Sequence, residues 1–419
     1  MMPLERGLVN IIKRHLSSLY IIANIFCALA FSATGYLGGD FSGRNISSNT
    51  MSLFLSLIII LSSIYMYQKL IYNYLSKIEV PTFAYVSNLI LDAVVSLLMI
   101  LSIVGALFYN IGVVGVGANG AESSALVKLM AYIFSIFQPT WFSLIYIYYR
   151  VSAHYSRWLY INVLLYTILI LFTGQSIQLI ALLYVYLAMY CHKSNSLPSW
   201  RLVLLSIIGF LVYPLIRFLK YAIIGSSAYD IEVSMMMGNA LSDTSISELY
   251  KDMLFVALER FQFVANTSYI MNFSHTISNG YTPSMLSYFS GYWVIDSLAK
   301  AIGVHVNFIV PPQEYLATMI SGMDNWSSHI GLYGYSVFFG EESFFIYLIS
   351  VAILCISVLV SKVIFKSHFF LVLPWAISFI LIIHGWLIQY MAFLQAQFIF
   401  LIVIILVKIL RKIFHPHNS

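Results

Sequence analysis

Counting from Leu249 through Met253, Ala257, Arg260 and Val264 gives helical steps of four, four, three and four, which puts the Arg260 guanidinium on or beside an apolar helix face. A charge there must be paired or must bind an anion. A salt bridge to Glu259, Glu248 or another nearby carboxylate meets that demand, and so does a grip on a phosphoryl group. Arg217 and Lys220, three apart, share one side of an apolar stretch near its end. Snorkelling to lipid headgroups accounts for both, as does a cationic shelf facing a lipid pyrophosphate, where the planar arginine fork suits phosphoryl oxygens. His329 lies in Trp326-Ser327-Ser328-His329-Ile330-Gly331-Leu332-Tyr333-Gly334-Tyr335. Histidine accepts protons near neutral pH and the glycines permit close backbone approach, so a general base and a structural histidine are both open readings.

Other signals are weaker. Glu341 and Glu342 form an acidic pair that either contacts an acceptor or simply opens a helix whose dipole favours negative charge; with Asp324 they are the alternatives to His329 as base. Trp326, Tyr333 and Tyr335 are candidates for sugar or acceptor contacts, and Trp293, Tyr288 and Tyr292 have the ring faces to stack on sugars. Aromatic belts at a membrane interface explain such residues equally. Asp92 and Lys128 belong to adjacent apolar runs but to opposite ends of them, so they are not expected to meet. No D-x-D, H-E-x-x-H, G-x-S-x-G or G-x-x-x-x-G-K sequence occurs. Cys27, Cys191 and Cys355 are far apart and form no metal-ligand spacing, so neither a metal nor a disulfide framework is expected.

The elements that must position these residues follow from composition. Hydrophobic residues make up 61% of the 419 positions and charged residues only 9%, which excludes a large soluble domain and defines an all-α polytopic membrane protein. Runs long enough to cross a bilayer lie at about 16–38, 51–68, 84–108, 126–149, 158–173, 176–191, 202–224, 344–361, 369–388 and 390–408. The fifth and sixth are short and meet at Thr173-Gly174-Gln175-Ser176, so one re-entrant pair is the other reading of them. The first follows Arg6, Lys13 and Arg14 and has the length of an uncleaved signal anchor. Placing both termini in the cytoplasm puts most of the 21 Lys and Arg there too. The net charge of +5 therefore reflects topology, and no nucleic-acid partner is expected.

This divides the chain into transmembrane helices 1–7 over 1–224, a periplasmic loop over 225–343, and transmembrane helices 8–10 with a short cytoplasmic tail over 344–419. So long a connection needs a role. It has helical grammar: Ser245-Ile246-Ser247-Glu248 reads as a capping box, with Leu249, Met253, Ala257, Phe261 and Val264 following at helical spacing. A second helix is expected from Thr282-Pro283 to near Gly303, and Pro311-Pro312 opens a third.

The layout of many spans and one long late periplasmic loop resembles the O-antigen polymerases (Wzy-type oligosaccharide repeat unit polymerases) and, more distantly, the O-antigen ligases. The resemblance covers essentially the whole chain as architecture, through loose motifs. In that family one arginine near the outer end of the span before the loop and another inside the loop are expected to hold a lipid pyrophosphate; Arg217 and Arg260 match those positions, with Lys220 beside them. Ligases carry a small polar residue directly after their histidine and a glycine eleven positions on; His329 and Gly340 keep the spacing, but Ile330 replaces the polar residue, which argues against a ligase. The run Gly331–Gly340 is similar to the glycine and aromatic run with which polymerases enter the span after the loop. The resemblance implies polymerisation of undecaprenyl-pyrophosphate-linked repeat units at the periplasmic face of the bacterial inner membrane, without metal or other cofactor. His329 would be the catalytic base, and a chain-length regulator protein a further partner. A lipid-linked oligosaccharide flippase is the competing class, expected to line a central membrane path with charge.

Overall fold

The structure is a computed structural model; it describes residues 3–41, 49–82, 89–113, 124–151, 157–175, 261–304, 309–322, 327–365 and 371–414 continuously, with scattered positions between 178 and 254. Among the described residues it is helical, with no strand. Among these residues, five helical stretches are long and apolar enough to cross a membrane, or six if one bent pair is a single span. The runs expected at 176–191 and 202–224 lie largely outside the described residues.

Helix α1 spans Pro3–Thr34. Helix α2 (Thr50–Ile64) continues through a π-helical stretch, Tyr65–Ile71, into α3 (Tyr72–Lys77). Helix α4 (Leu89–Tyr109) has 21 residues. At 1.5 Å per residue that is about 31 Å, the thickness of a hydrocarbon core. Sequence alone reads 126–149 as one run, but α5 (Ala125–Phe137) and α6 (Pro139–Val151) are separate helices bent by 47° at Gln138, whose φ is +47°. Pro139 is the cause, since its ring restricts the preceding residue and it lacks an N–H to continue the ladder. Helix α7 is Arg157–Thr173.

The segment expected as a loop is partly woven into the helical core. Helix α8 (Val264–Asn272) is buried from Val264 to Ile270 and packs on α1 and α2, with Ser268 Oγ 2.7 Å from Ser52 Oγ. The capping box forms as expected: Glu248 N donates to Ser245 Oγ at 3.2 Å, and Ser245 Oγ donates to the Glu248 carboxylate at 2.8 Å. The expected continuation to Val264 does not hold, because Phe261 lies in a turn and Val264 begins α8. The helix expected over 282–303 is two, α10 (Met285–Ser290) and α11 (Trp293–Ala301), after the short α9 (Ser274–Gly280). Helix α12 (Pro312–Ser321) opens on its proline, as expected.

Helix α13 (Gly331–Phe339) runs through a turn at Gly340–Glu342 into α14 (Ser343–Ile364), and α15 (Val372–Leu381) and α16 (Leu387–Phe414) close the fold. Helices α6 and α15 are buried at every position; α15 is apolar except for Ser378, whereas α6 also carries Thr140, Ser143 and Arg150 into the interior. Lys362 on α14 donates to the carbonyls of Leu75 and Ser76 at 2.9 and 3.0 Å and to that of Ile78, satisfying the last carbonyls of α3. Asp92 and Lys128 do not meet: Lys128 is exposed, and buried Asp92 takes a hydrogen bond from Arg150 Nη2 at 2.8 Å and another from Tyr146 at 2.7 Å. Asn162, in turn held by Ser96, donates to the Tyr146 hydroxyl at 2.8 Å and completes this buried network between α4, α6 and α7.

Candidate active site

His329 stands in the short irregular stretch before α13, and a second histidine, His384, faces it from the turn between α15 and α16. Their Nδ1 atoms are 3.2 Å apart and the rings are nearly perpendicular, at 86°. Trp386 Nε1 donates to His329 Nδ1 at 2.9 Å. Tyr20, on α1, places its hydroxyl 3.3 Å from His384 Nε2. His384 is buried, with the Phe263 ring edge-on at 4.1 Å, whereas His329 is only half-buried.

Backbone contacts fix this pair. Gly331 N donates to the His384 carbonyl at 3.1 Å, and both Gly331 (φ +61°) and Gly385 (φ +82°) take the left-handed conformation that a side chain would strain. The Gly385 carbonyl accepts from Tyr335 and from Gln313, each at 2.6 Å, while Ser328 N donates to the Gln313 carbonyl at 3.0 Å. Tyr288 supports Tyr335 from behind at 2.9 Å; burial pushes its phenol up to about 12, so it remains a donor.

On the other side Asn266 of α8 donates to the His329 carbonyl at 3.0 Å and to Ser328 Oγ at 2.8 Å. Ser328 donates in turn to the Asp40 carboxylate, just beyond the end of α1. Asn24, one turn after Tyr20, accepts from Phe263 N at 2.8 Å and donates to the Phe261 carbonyl at 3.1 Å. The cluster thus extends along α1 from Tyr20 in its interior to Asp40 past its end.

The sequence-derived candidates divide accordingly. His329 is in the cluster. Tyr335 is also there, but fully buried and committed to Gly385, so a sugar would have to displace it; Tyr333 is half-buried. Glu341 is exposed, and its neighbour Glu342 accepts from Met285 N at the start of α10. Arg217, Lys220, Arg260, Trp326 and Asp324 lie outside the described residues. Among the described residues, no three of His, Cys, Asp and Glu gather as a metal site would require.

Sequence reasoning missed His384, Trp386, Tyr20 and Asp40. One signal was available for two of them: Ile382-Ile383-His384-Gly385-Trp386 interrupts an apolar run with a histidine and a helix-breaking glycine. The break falls at 382–386, inside the run 369–388 that reads as one span, so α15 stops at Leu381 and α16 starts at Leu387 within it.

These features define a protein that is helical throughout its described elements, with helices fit to span a membrane and a histidine pair among them. No protein-family model, curated protein or solved structure matches this chain.

Proposed function

We propose that this protein is a metal-independent membrane glycosyltransferase, an O-antigen polymerase. It would join undecaprenyl-pyrophosphate-linked repeat units at the periplasmic face of the bacterial inner membrane, with about ten spans and both termini in the cytoplasm. The observation that carries the reading is the placement of half-buried His329 against His384 and Trp386, on a segment held by Asp40, Ser328 and Asn266. Such a rigid polar cluster among apolar helices is costly to build and marks a site rather than filler.

In this reading the bond between the sugar anomeric carbon and the pyrophosphate oxygen breaks, and the acceptor hydroxyl of a second lipid-linked unit bonds to that carbon and passes its proton to a base, for which His329 is the first candidate and Asp324, Glu341 and Glu342 the alternatives. Fixed cations stabilise the departing pyrophosphate, the task assigned to Arg217, Arg260 and Lys220. Tyr333, Trp326 and Glu341 are the nearest sugar-contact candidates in the same stretch.

A flippase is favoured by one observation, the buried Asp92–Arg150 pair between helices, since charge inside a membrane often lines a transport path. Its partners Tyr146, Asn162 and Ser96 make it a closed structural network, which favours the polymerase. Deleting the gene and resolving the surface polysaccharide by gel separates the readings. A polymerase deletion leaves lipid A core carrying a single repeat unit; core with no repeat at all identifies a flippase or a ligase instead.

A further inference from the structure

Asp40 lies in the short turn Gly39–Phe41 that follows α1, and its neighbours Leu37 and Phe41 are buried. Phe41 packs on Tyr269 of α8 with ring centroids 4.8 Å apart, so Asp40 stands on a fixed piece of backbone. Its side chain meets the stretch that carries His329. Asp40 Oδ2 accepts from Ser328 Oγ and, at 3.3 Å, from Asn266 Nδ2, and both donors are buried. Ser328 N is held on the Gln313 carbonyl at 3.0 Å, while Asn266 also donates to the His329 carbonyl at 3.0 Å.

The two oxygens of this carboxylate are in different situations. Oδ2 takes both hydrogen bonds, whereas Oδ1 takes none among the described residues. Nor is Oδ1 shut inside the protein: Asp40 is half-buried, and this oxygen reaches accessible space. An ionised carboxylate can only accept. With one oxygen pinned by two donors, the other is an oriented acceptor at the edge of the histidine cluster. Asp92 shows the contrast of a carboxylate given wholly to structure, its Oδ1 claimed by Tyr146 and its Oδ2 by Arg150. The other acids weighed as the base are placed differently. Glu342 accepts from Met285 N, and Glu341 stands beyond the far end of the nine-residue α13, about 13 Å of helix rise from Gly331.

We infer that Asp40 is a catalytic residue, the general base that takes the proton of the acceptor hydroxyl. This deepens the polymerase reading and rests on it for the identity of that hydroxyl, which belongs to a sugar of the second lipid-linked unit. The hydroxyl oxygen bonds to the anomeric carbon and its proton passes to Asp40 Oδ1, while the bond from that carbon to the pyrophosphate breaks and its electron pair leaves with the pyrophosphate oxygen. The carboxylic acid so formed returns its proton to water before the next transfer. Asp40 thereby takes the role for which His329 was the first candidate, and Ser328 and Asn266 are positioning residues that aim its carboxylate. With the N-terminus in the cytoplasm, a residue just past α1 is on the side of the membrane where the units are joined.

The test uses the full chain in lipid nanodiscs, and one arm is independent of polymerisation. A water-soluble carbodiimide with an added amine couples to reachable carboxyl groups, and mass spectrometry is expected to find Asp40 modified and Asp92 unmodified. An unmodified Asp40 overturns the inference. The second arm follows polymerisation of lipid-linked repeat units. Asparagine keeps an oxygen for Ser328 and Asn266 but cannot take a proton at neutral pH, so Asp40→Asn is expected to unfold at the wild-type temperature yet lose about 100- to 10,000-fold in rate. Asp40→Ala should lose as much and regain about tenfold in sodium formate, a small soluble carboxylate, but not in sodium chloride at the same concentration. If Asp40→Asn polymerises within about fivefold of wild type, Asp40 is not the base. The same holds if Asp40→Asn unfolds early and formate leaves Asp40→Ala inactive. A wild-type protein that joins no repeat units sinks the polymerase reading and the base role with it, whereas an active wild type beside an equally active Asp40→Asn sinks the base role alone.

Discussion

Gly385 and Ile330 approach so closely that a Cβ added to Gly385 would stand 2.6 Å from Ile330 Cγ1 and 2.8 Å from the Gly331 carbonyl oxygen. The turn carrying His384 and the irregular stretch carrying His329 are therefore in direct backbone contact, and that contact sets the spacing of the two rings. Gly385→Ala is expected to force them apart. The added side chain meets a left-handed backbone, worth about 1–2 kcal/mol, and an overpacked contact, worth about 1–3 kcal/mol more. Gly303 has a similar φ of +77°, but a Cβ added there would meet nothing within 4 Å, so Gly303→Ala isolates the backbone part. Thermal unfolding in detergent should show the larger loss for Gly385→Ala; equal losses would mean the contact is not tight.

Asp92→Ala would leave the Arg150 guanidinium buried without its carboxylate, which costs about 3–5 kcal/mol. Replacing both partners with apolar residues, as in Asp92→Leu with Arg150→Met, is expected to restore most of that stability and polysaccharide of normal length. A folded double variant that makes no polysaccharide would return the pair to a transport path and strengthen the flippase reading.

Asn279 is exposed on α9, in the segment assigned to the periplasm. A cysteine at that position should react with a membrane-impermeant thiol reagent in cells whose outer membrane alone has been permeabilised. Labelling seen only after lysis would reverse the orientation.

Lysine keeps the charge of arginine but loses the planar two-pronged fork. Arg260→Lys and Arg217→Lys are expected to shorten or abolish the polymer, while Arg44→Lys leaves it unchanged. Normal long-chain polymer from both of the first two variants would return these arginines to salt-bridge and snorkelling roles.

What the sequence determined by itself is what short-range chemistry determines. The capping box at Ser245 and Glu248, the proline that opens α12, the glycine that follows α11 at 303 and the apolar length of α4, α14 and α16 are all decided within a turn or two of chain. His329 could be singled out for the same reason, because its glycines and aromatics are its immediate neighbours. Its partners could not. Tyr20 and His384 are 364 positions apart, and Asp40 and Ser328 are 288 apart, so no local periodicity relates them. Apolar periodicity also cannot separate a helix that faces lipid from one enclosed by other helices, since both are hydrophobic all round. Hence the complete burial of α6 and α15, the inward turn of Arg150 onto Asp92 and the break at His384 were left to the packing of the helices. Only that packing, by closing Gly331 and Ile330 onto Gly385, brings His384 and the Trp386 donor to His329.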